Sequence, residues 1–234
     1  MKIATNEKEE RCATGIQGFD KLCEGGLIKD SISLVTGNAG AGKTTFLLQF
    51  LYNGVTDFEE NGAYISFEPE PKDINRTAKN LGMDFEKLEK ENSLLIIKMD
   101  PEMSIREMQD KLSKIIIKNN IKRLCLDPIN VFSINLSKEI IVRKQVYDFL
   151  SFLKKLGVCI IITGETDGEL SEKDELTEDI RFAKYLVDGV IELFSSGIAG
   201  EGDRALRITK MRLTNHKRGP VSFNITNKGI ALEK

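Results

Sequence analysis

Ser31-Ile-Ser-Leu-Val-Thr-Gly37-Asn38-Ala39-Gly40-Ala41-Gly42-Lys43-Thr44-Thr45-Phe46-Leu47-Leu48-Gln49-Phe50-Leu51 is the stretch on which the reading of this chain turns. It opens as an apolar run of strand length, passes through a complete G-x-x-x-x-G-K-T, and continues with Phe46, Leu47, Phe50 and Leu51 at helical spacing. The glycines let successive backbone N–H groups curl around a phosphate, and the start of the following helix adds partial positive charge. Lys43 has the reach for β and γ phosphates, and the Thr44 hydroxyl suits a Mg²⁺ carried by them. A strand-to-helix setting around the full motif therefore predicts a nucleoside triphosphate site. Its cradle is expected to comprise Gly37, Asn38, Ala39, Gly40, Ala41, Gly42, Lys43, Thr44 and Thr45, with a nucleoside triphosphate and Mg²⁺ as its ligands. The bland alternative is a glycine-rich turn that only happens to precede a helix.

Outward from this loop, short apolar runs alternate with segments of helical period. Runs at 31–36 (SISLVT), 63–67 (AYISF), 94–97 (LLII), 124–126 (LCL) and 158–163 (VCIIIT) read as buried strands. Ser104 and Glu107 make an S-x-x-E capping box ahead of Ile105, Met108, Leu112, Ile115 and Ile116. A second helix is expected over 138–156, ending at Gly157. This alternation predicts an α/β fold, a mostly parallel sheet flanked by helices. After Asp188 the rhythm changes to strands at 190–193, 206–212, 222–226 and 230–232, the last two joined by an Asn227-Lys228-Gly229 turn; these read as an antiparallel edge.

Composition bounds the possibilities. The chain has 234 residues, 41% hydrophobic and 30% charged, which suits a packed globular protein and is expected to form one domain over residues 1–234. A formal net charge of −2 argues against a dedicated duplex-DNA binder, which carries a basic excess. The four cysteines, Cys12, Cys23, Cys125 and Cys159, form no C-x-x-C pair and read as reduced thiols. No run approaches the roughly 20 apolar residues of a membrane span, and the opening MKIATNEKEE lacks an apolar signal core. A cytoplasmic protein without a membrane partner is the expectation.

A triphosphate site needs a second acidic group at the end of a neighbouring strand to hold the metal through water, and Asp127, closing Arg-Leu-Cys-Leu-Asp, fits. Hydrolysis needs a carboxylate that orients the attacking water. Glu68, ending the 63–67 strand, is the candidate, with Glu70 as competitor; Pro69 and Pro71 keep the segment extended.

Taken in order, Thr14-Gly-Ile-Gln-Gly-Phe-Asp-Lys-Leu-Cys-Glu-Gly-Gly-Leu27, the phosphate loop, Leu48-Gln-Phe-Leu-Tyr-Asn-Gly54, Ser66-Phe-Glu68, the Asp127 strand and Lys210-Met-Arg-Leu-Thr-Asn-His216 resemble a single KaiC domain of the RecA-fold ATPases. The similarity runs over about 12–232, and only the phosphate loop is specific by itself. The resemblance implies a RecA-like core and a homo-oligomer, commonly a hexameric ring, with ATP held between neighbouring subunits. Within that ring Lys210, Arg212 and His216 would reach the nucleotide of the adjacent subunit. Strand alternation puts Lys210 and Arg212 on one face; the plainer reading makes them edge-strand cations that discourage sheet-to-sheet pairing. Asn227 would lie toward the adenine or ribose, and Thr163 or Glu165 at a position that senses the γ-phosphate. A cis peptide is expected at Asp127-Pro128, where related proteins often have one.

Some departures carry weight. Such domains usually have two adjacent glutamates where this chain has Glu68 followed by Pro69. No hydroxyl pair precedes Asp188-Gly-Val-Ile, so autophosphorylation is not implied. The 165–179 stretch, rich in Glu and Asp against one Lys173, opposes the threading of DNA past a channel loop, or is simply a solvated loop. Two main function classes remain: a Mg²⁺-dependent regulatory ATPase, and a nucleotide-gated interaction module with little turnover. A DNA-repair accessory role ranks below both.

Overall fold

The computed structural model describes residues 9–133, 139–166, 177–197 and 203–233. In chain order these form β1 (Arg11–Cys12), α1 (Phe19–Leu22), β2 (Leu27–Ile28), β3 (Ile32–Gly37), α2 (Lys43–Phe58), β4 (Gly62–Ser66), α3 (Pro71–Asn80), α4 (Phe85–Lys90) and β5 (Leu94–Lys98). Then follow α5 (Ile105–Lys118), β6 (Arg123–Asp127), a 3-10 turn (Ile129–Ser133), α6 (Glu139–Leu153), β7 (Cys159–Glu165), α7 (Glu178–Leu186), β8 (Gly189–Ser195), β9 (Arg204–Met211), β10 (Val221–Thr226) and β11 (Gly229–Leu232).

Nine of the strands make one sheet in the order β11-β10-β9-β8-β3-β7-β6-β4-β5. From β8 to β5 every pairing is parallel. Consequently β3, which delivers the phosphate loop, lies near the middle between β7 and β8. Its residues are buried on both faces, which is why the sequence reads as a continuous apolar run and not an alternating one. Val35 joins a core with α2 and the C-terminal strands, while Ile32 and Leu34 point to the other face and the core under α5, α6 and α7.

The capping box forms as expected: Ser104 Oγ accepts from Glu107 N–H at 3.3 Å, and Ser104 N–H donates to Glu107 Oε2 at 2.9 Å. One expectation is corrected. The first strand after Asp188 belongs to the parallel core as well as to the antiparallel edge: β8 pairs parallel with β3 on one side and antiparallel with β9 on the other, and β10 and β11 continue the antiparallel edge. The reason is α7, a crossover helix unread in a polar stretch of sequence; with it, β7-α7-β8 is an ordinary parallel unit.

Helix α2 is fixed from below by a buried cation. Arg123 is 1% exposed, its guanidinium lies between the Phe50 and Phe58 rings, and it donates to Glu60 at 2.6 Å and to the Phe50 carbonyl at 3.0 Å. A charge taken out of water needs this full set of partners. All four cysteines are buried and free. No helix among the described residues is long and apolar enough to cross a membrane.

Candidate functional site

The loop between β3 and α2 has the backbone its glycines permit. Gly40 and Gly42 sit at φ 76° and 102°, where a side chain is strained, and Gly42 caps α2. Gly37 serves a different need: a Cβ there would lie 2.4 Å from the Leu193 carbonyl oxygen of β8. The Asn38 side chain staples the loop to the end of β8, donating to the Ser195 carbonyl at 3.0 Å and accepting from Ser195 N–H at 3.3 Å. Ala41 is buried, and its N–H donates to the Asn38 carbonyl.

Lys43 Nζ donates to the carbonyls of Gly37 at 2.7 Å and Asn38 at 3.0 Å, and Glu165 lies beside it at 3.7 Å. Burial depresses the Lys43 pKa from its ordinary value, against the opposing pull of Glu165 and Asp127. Glu165 is in turn aimed by Asn130, whose side-chain oxygen accepts from Glu165 N–H at 2.9 Å.

Asp127 ends β6 at 8% exposure and is held by two hydroxyls. Tyr64 on β4 donates to its Oδ2, and Thr163 on β7 donates to its Oδ1. Burial, with the Asp127 charge beside it, pushes the Tyr64 phenol well above its usual range, so this group stays a donor. The Asp127-Pro128 peptide is cis, as expected.

These groups surround a pocket of about 370 Å³. Ala39, Gly40, Gly42, Lys43, Thr44 and Thr45 form its floor, Glu68 and Pro69 one side, Asp127 with Pro128 and Glu165 another, and Ile225 of β10 closes it. Gly37, Asn38 and Ala41 support the floor from behind. Between the two candidate glutamates the geometry discriminates: Glu68 lines the pocket, while the Glu70 carboxylate is ion-paired with Lys98 on β5, which lowers its pKa. As a metal site, Thr44 and Asp127 bring hard oxygen donors to one wall. No cluster of three or more His, Cys, Asp or Glu fit to hold a metal occurs among the described residues. The set suits Mg²⁺ that draws its remaining oxygens from phosphate and water.

Lys210, Arg212, His216 and Asn227 are not part of this pocket. Lys210 Nζ caps the end of α7 by donating to the carbonyls of Lys184 at 3.0 Å, Tyr185 at 3.1 Å and Val187 at 2.7 Å. Burial and the neighbouring Arg212 charge lower its pKa. Arg212 pairs with Asp188 at 3.1 Å and lies on the same side, next to the Tyr185 carbonyl. Register places this pair: Met211 lies opposite Gly189, Gly189 opposite Ser33, and Leu193 opposite Gly37. The two cations thus sit at the end of β3 away from the phosphate loop, about 13 Å along the strand for four residues at the usual rise. His216 is half-buried, its Nδ1 3.2 Å from the Lys217 carbonyl. Asn227 occupies the β10–β11 turn, its carbonyl beside Gly82.

Thr163 is fully buried on Asp127, so of the Thr163 and Glu165 pair only Glu165 faces the pocket. In the acidic 165–179 stretch, residues 167–176 fall outside the described residues. Sequence reading missed Tyr64, Asn130 and Gln49. Gln49 Nε2 donates to the Ile230 carbonyl at 3.2 Å and its Oε1 accepts from Ile230 N–H at 2.7 Å, fastening β11 to α2. Only the polarity of Gln49 on an otherwise apolar helix face could have signalled it.

Comparison with known proteins agrees with this geometry. Residues 12–234 match the family model described as "ATPase: KaiC". The circadian clock oscillator protein KaiC of Prochlorococcus marinus subsp. pastoris is 31% identical over 232 residues, 94% of this chain and 44% of the relative. The protein of the same description from Nostoc sp. is 31% identical over 94% of this chain and 44% of its own length. The chain thus spans less than half the length of these relatives. The crystal structure of a KaiC-like protein from the hyperthermophilic archaeon Pyrococcus horikoshii superposes with a TM-score of 0.84 at 31% identity, covering 97% of this chain and 100% of that one. With a glycine-lined pocket at the head of a central parallel strand and a matching family model over nearly its whole length, the chain belongs to the KaiC family of RecA-fold P-loop ATPases.

Proposed function

We propose that this protein binds ATP with Mg²⁺ in the phosphate-loop pocket and hydrolyses it slowly, as a cytoplasmic regulatory homo-oligomer, a hexameric ring in the family pattern, with nucleotide between neighbouring subunits. The observation that carries this reading is the convergence of Lys43, Thr44, Asp127 and Glu68 on one pocket while Glu70 is drawn off by Lys98. The loop amides and Lys43 would hold the β and γ phosphates. Bound Mg²⁺, on Thr44 and through water on Asp127, would neutralise charge on those phosphates. Glu68 takes the proton of the attacking water or orients it.

The position of Lys210 and Arg212, at the far end of the strand that carries the loop, supports a role in the site of an adjacent subunit. There Arg212 would meet the γ-phosphate, with Lys210 and His216 beside it, and Asn227 would border the base or ribose. All of this treats residues 1–234 as one working domain. A basic nucleic-acid surface has no support from the net charge of −2.

Phosphate release in ATP and Mg²⁺, compared with Glu68→Gln, tests the reading. Turnover that the substitution lowers about 10²-fold or more supports hydrolysis. Absence of turnover in both chains, with ATP-dependent assembly, would instead establish a nucleotide-gated interaction module, the reading that Pro69 in place of a second glutamate favours.

A further inference from the structure

Two buried hydroxyls, those of Tyr64 and Thr163, converge on the Asp127 carboxylate. In the register of the parallel sheet, Ser66 lies beside Asp127, and Leu126 lies beside Ile162, which puts Thr163 beside Asp127 on the other flank. A short β-branched hydroxyl at that position touches the carboxylate directly. Tyr64 stands two residues before Ser66, so its side chain leaves the same face of the sheet about 6.6 Å lower down. Only a side chain as long as tyrosine carries a hydroxyl over that distance, and its oxygen arrives at Asp127 Oδ2. Both residues are fully buried.

We propose that Tyr64 is a positioning residue which, paired with Thr163, fixes the Asp127 carboxylate so that its remaining lone pairs face Mg²⁺ and its water; the inference rests on the Mg·ATP reading given above. With one hydroxyl on each oxygen, the carboxylate cannot rotate about its Cβ–Cγ bond without breaking both bonds. Phenylalanine at position 64 would keep the packing and remove only the donor. Outer-shell partners of this kind shift metal affinity by about 10- to 100-fold when lost.

The experiment is a titration of the full chain with a fluorescent ATP analogue, in EDTA and over a series of Mg²⁺ concentrations, for wild type, Tyr64→Phe, Thr163→Val and Thr163→Ser. Thermal unfolding without ligand accompanies it. Tyr64→Phe is expected to raise the Mg²⁺ concentration for half-maximal effect by roughly 10- to 100-fold, with affinity in EDTA unchanged. Thr163→Val is expected to act in the same direction, and Thr163→Ser, which keeps the hydroxyl, to behave as wild type. An unaltered Mg²⁺ dependence in Tyr64→Phe, whatever its melting temperature, overturns the proposal. Wild type that binds the analogue without any response to Mg²⁺ overturns the underlying Mg·ATP reading instead. Should the phenylalanine chain not fold, the Thr163→Val and Thr163→Ser pair decides.

Discussion

Glu165 Oε1 lies 3.7 Å from Lys43 Nζ, so the end of β7 supplies a counter-charge to the lysine of the phosphate loop. The lysine is mostly buried and the carboxylate half exposed. An arriving triphosphate competes with that carboxylate for the same ammonium and is repelled by it. Glu165 therefore offsets part of the Lys43 charge, which would weaken the hold on a nucleotide.

Glu165→Gln is expected to tighten ATP binding. An exposed carboxylate at this distance is worth about 0.5 to 1 kcal/mol, roughly a two- to five-fold fall in Kd. Isothermal titration calorimetry measures it, and unchanged or weaker binding would show that Glu165 does not oppose the phosphates.

Affinity for ATP is expected to fall at alkaline pH. Burial lowers the pKa of Lys43 below its ordinary 10.5, so the folded protein releases this proton earlier than a free lysine would. The attraction for phosphate is present below the depressed value and is lost as the pH rises through it. Binding by Lys43→Met should be weak and show no such loss when titrated over the same range.

Loop glycines should differ in how they fail. Gly37→Ala drives a methyl to 2.4 Å from the Leu193 carbonyl, an overpacking expected to destabilise by about 1 to 3 kcal/mol. Gly40 has nothing within 4 Å of such a methyl, so alanine there meets only the left-handed backbone penalty, about 1 kcal/mol. Urea denaturation of both variants separates the two causes.

Lys210 and Arg212 should separate stability from turnover. Lys210→Ala removes a charged donor from three carbonyls at the end of α7, those of Lys184, Tyr185 and the following Val187, and is expected to cost about 1.5 to 3 kcal/mol of stability. Arg212 is 49% exposed in its pair with Asp188, so Arg212→Ala should change stability by less than about 1 kcal/mol while abolishing turnover. Mixing Arg212→Ala with Lys43→Ala chains should restore part of the phosphate release, since some shared sites then hold both residues. Failure to complement would place Arg212 outside the neighbour's site.

How much of this was legible in the chain depends on the range of each signal. The phosphate loop and the strands around it declare themselves locally, through glycine spacing and doubly buried runs such as 31–36. Asp127 and Glu68 follow because one ends such a strand and the other stands two residues beyond one. Tyr64 does not, since one aromatic in a buried strand looks like any other until the register sets its hydroxyl on Asp127. Asn130 and Gln49 are hidden for the same reason, their partners being 35 and 181 residues away. The capping work of Lys210 was invisible for the same reason, since the carbonyls it meets at the end of α7 lie 23 to 26 residues away.

The double hydrogen bond from Gln49 to Ile230 has a mechanical consequence. An amide that satisfies both backbone groups of one residue acts as a splint, so the helix leaving the phosphate loop and the terminal hairpin with Ile225 move as one body. The edge of the sheet is thereby tied to the pocket twice, once through Ile225 at its rim and once through the helix that starts at Lys43.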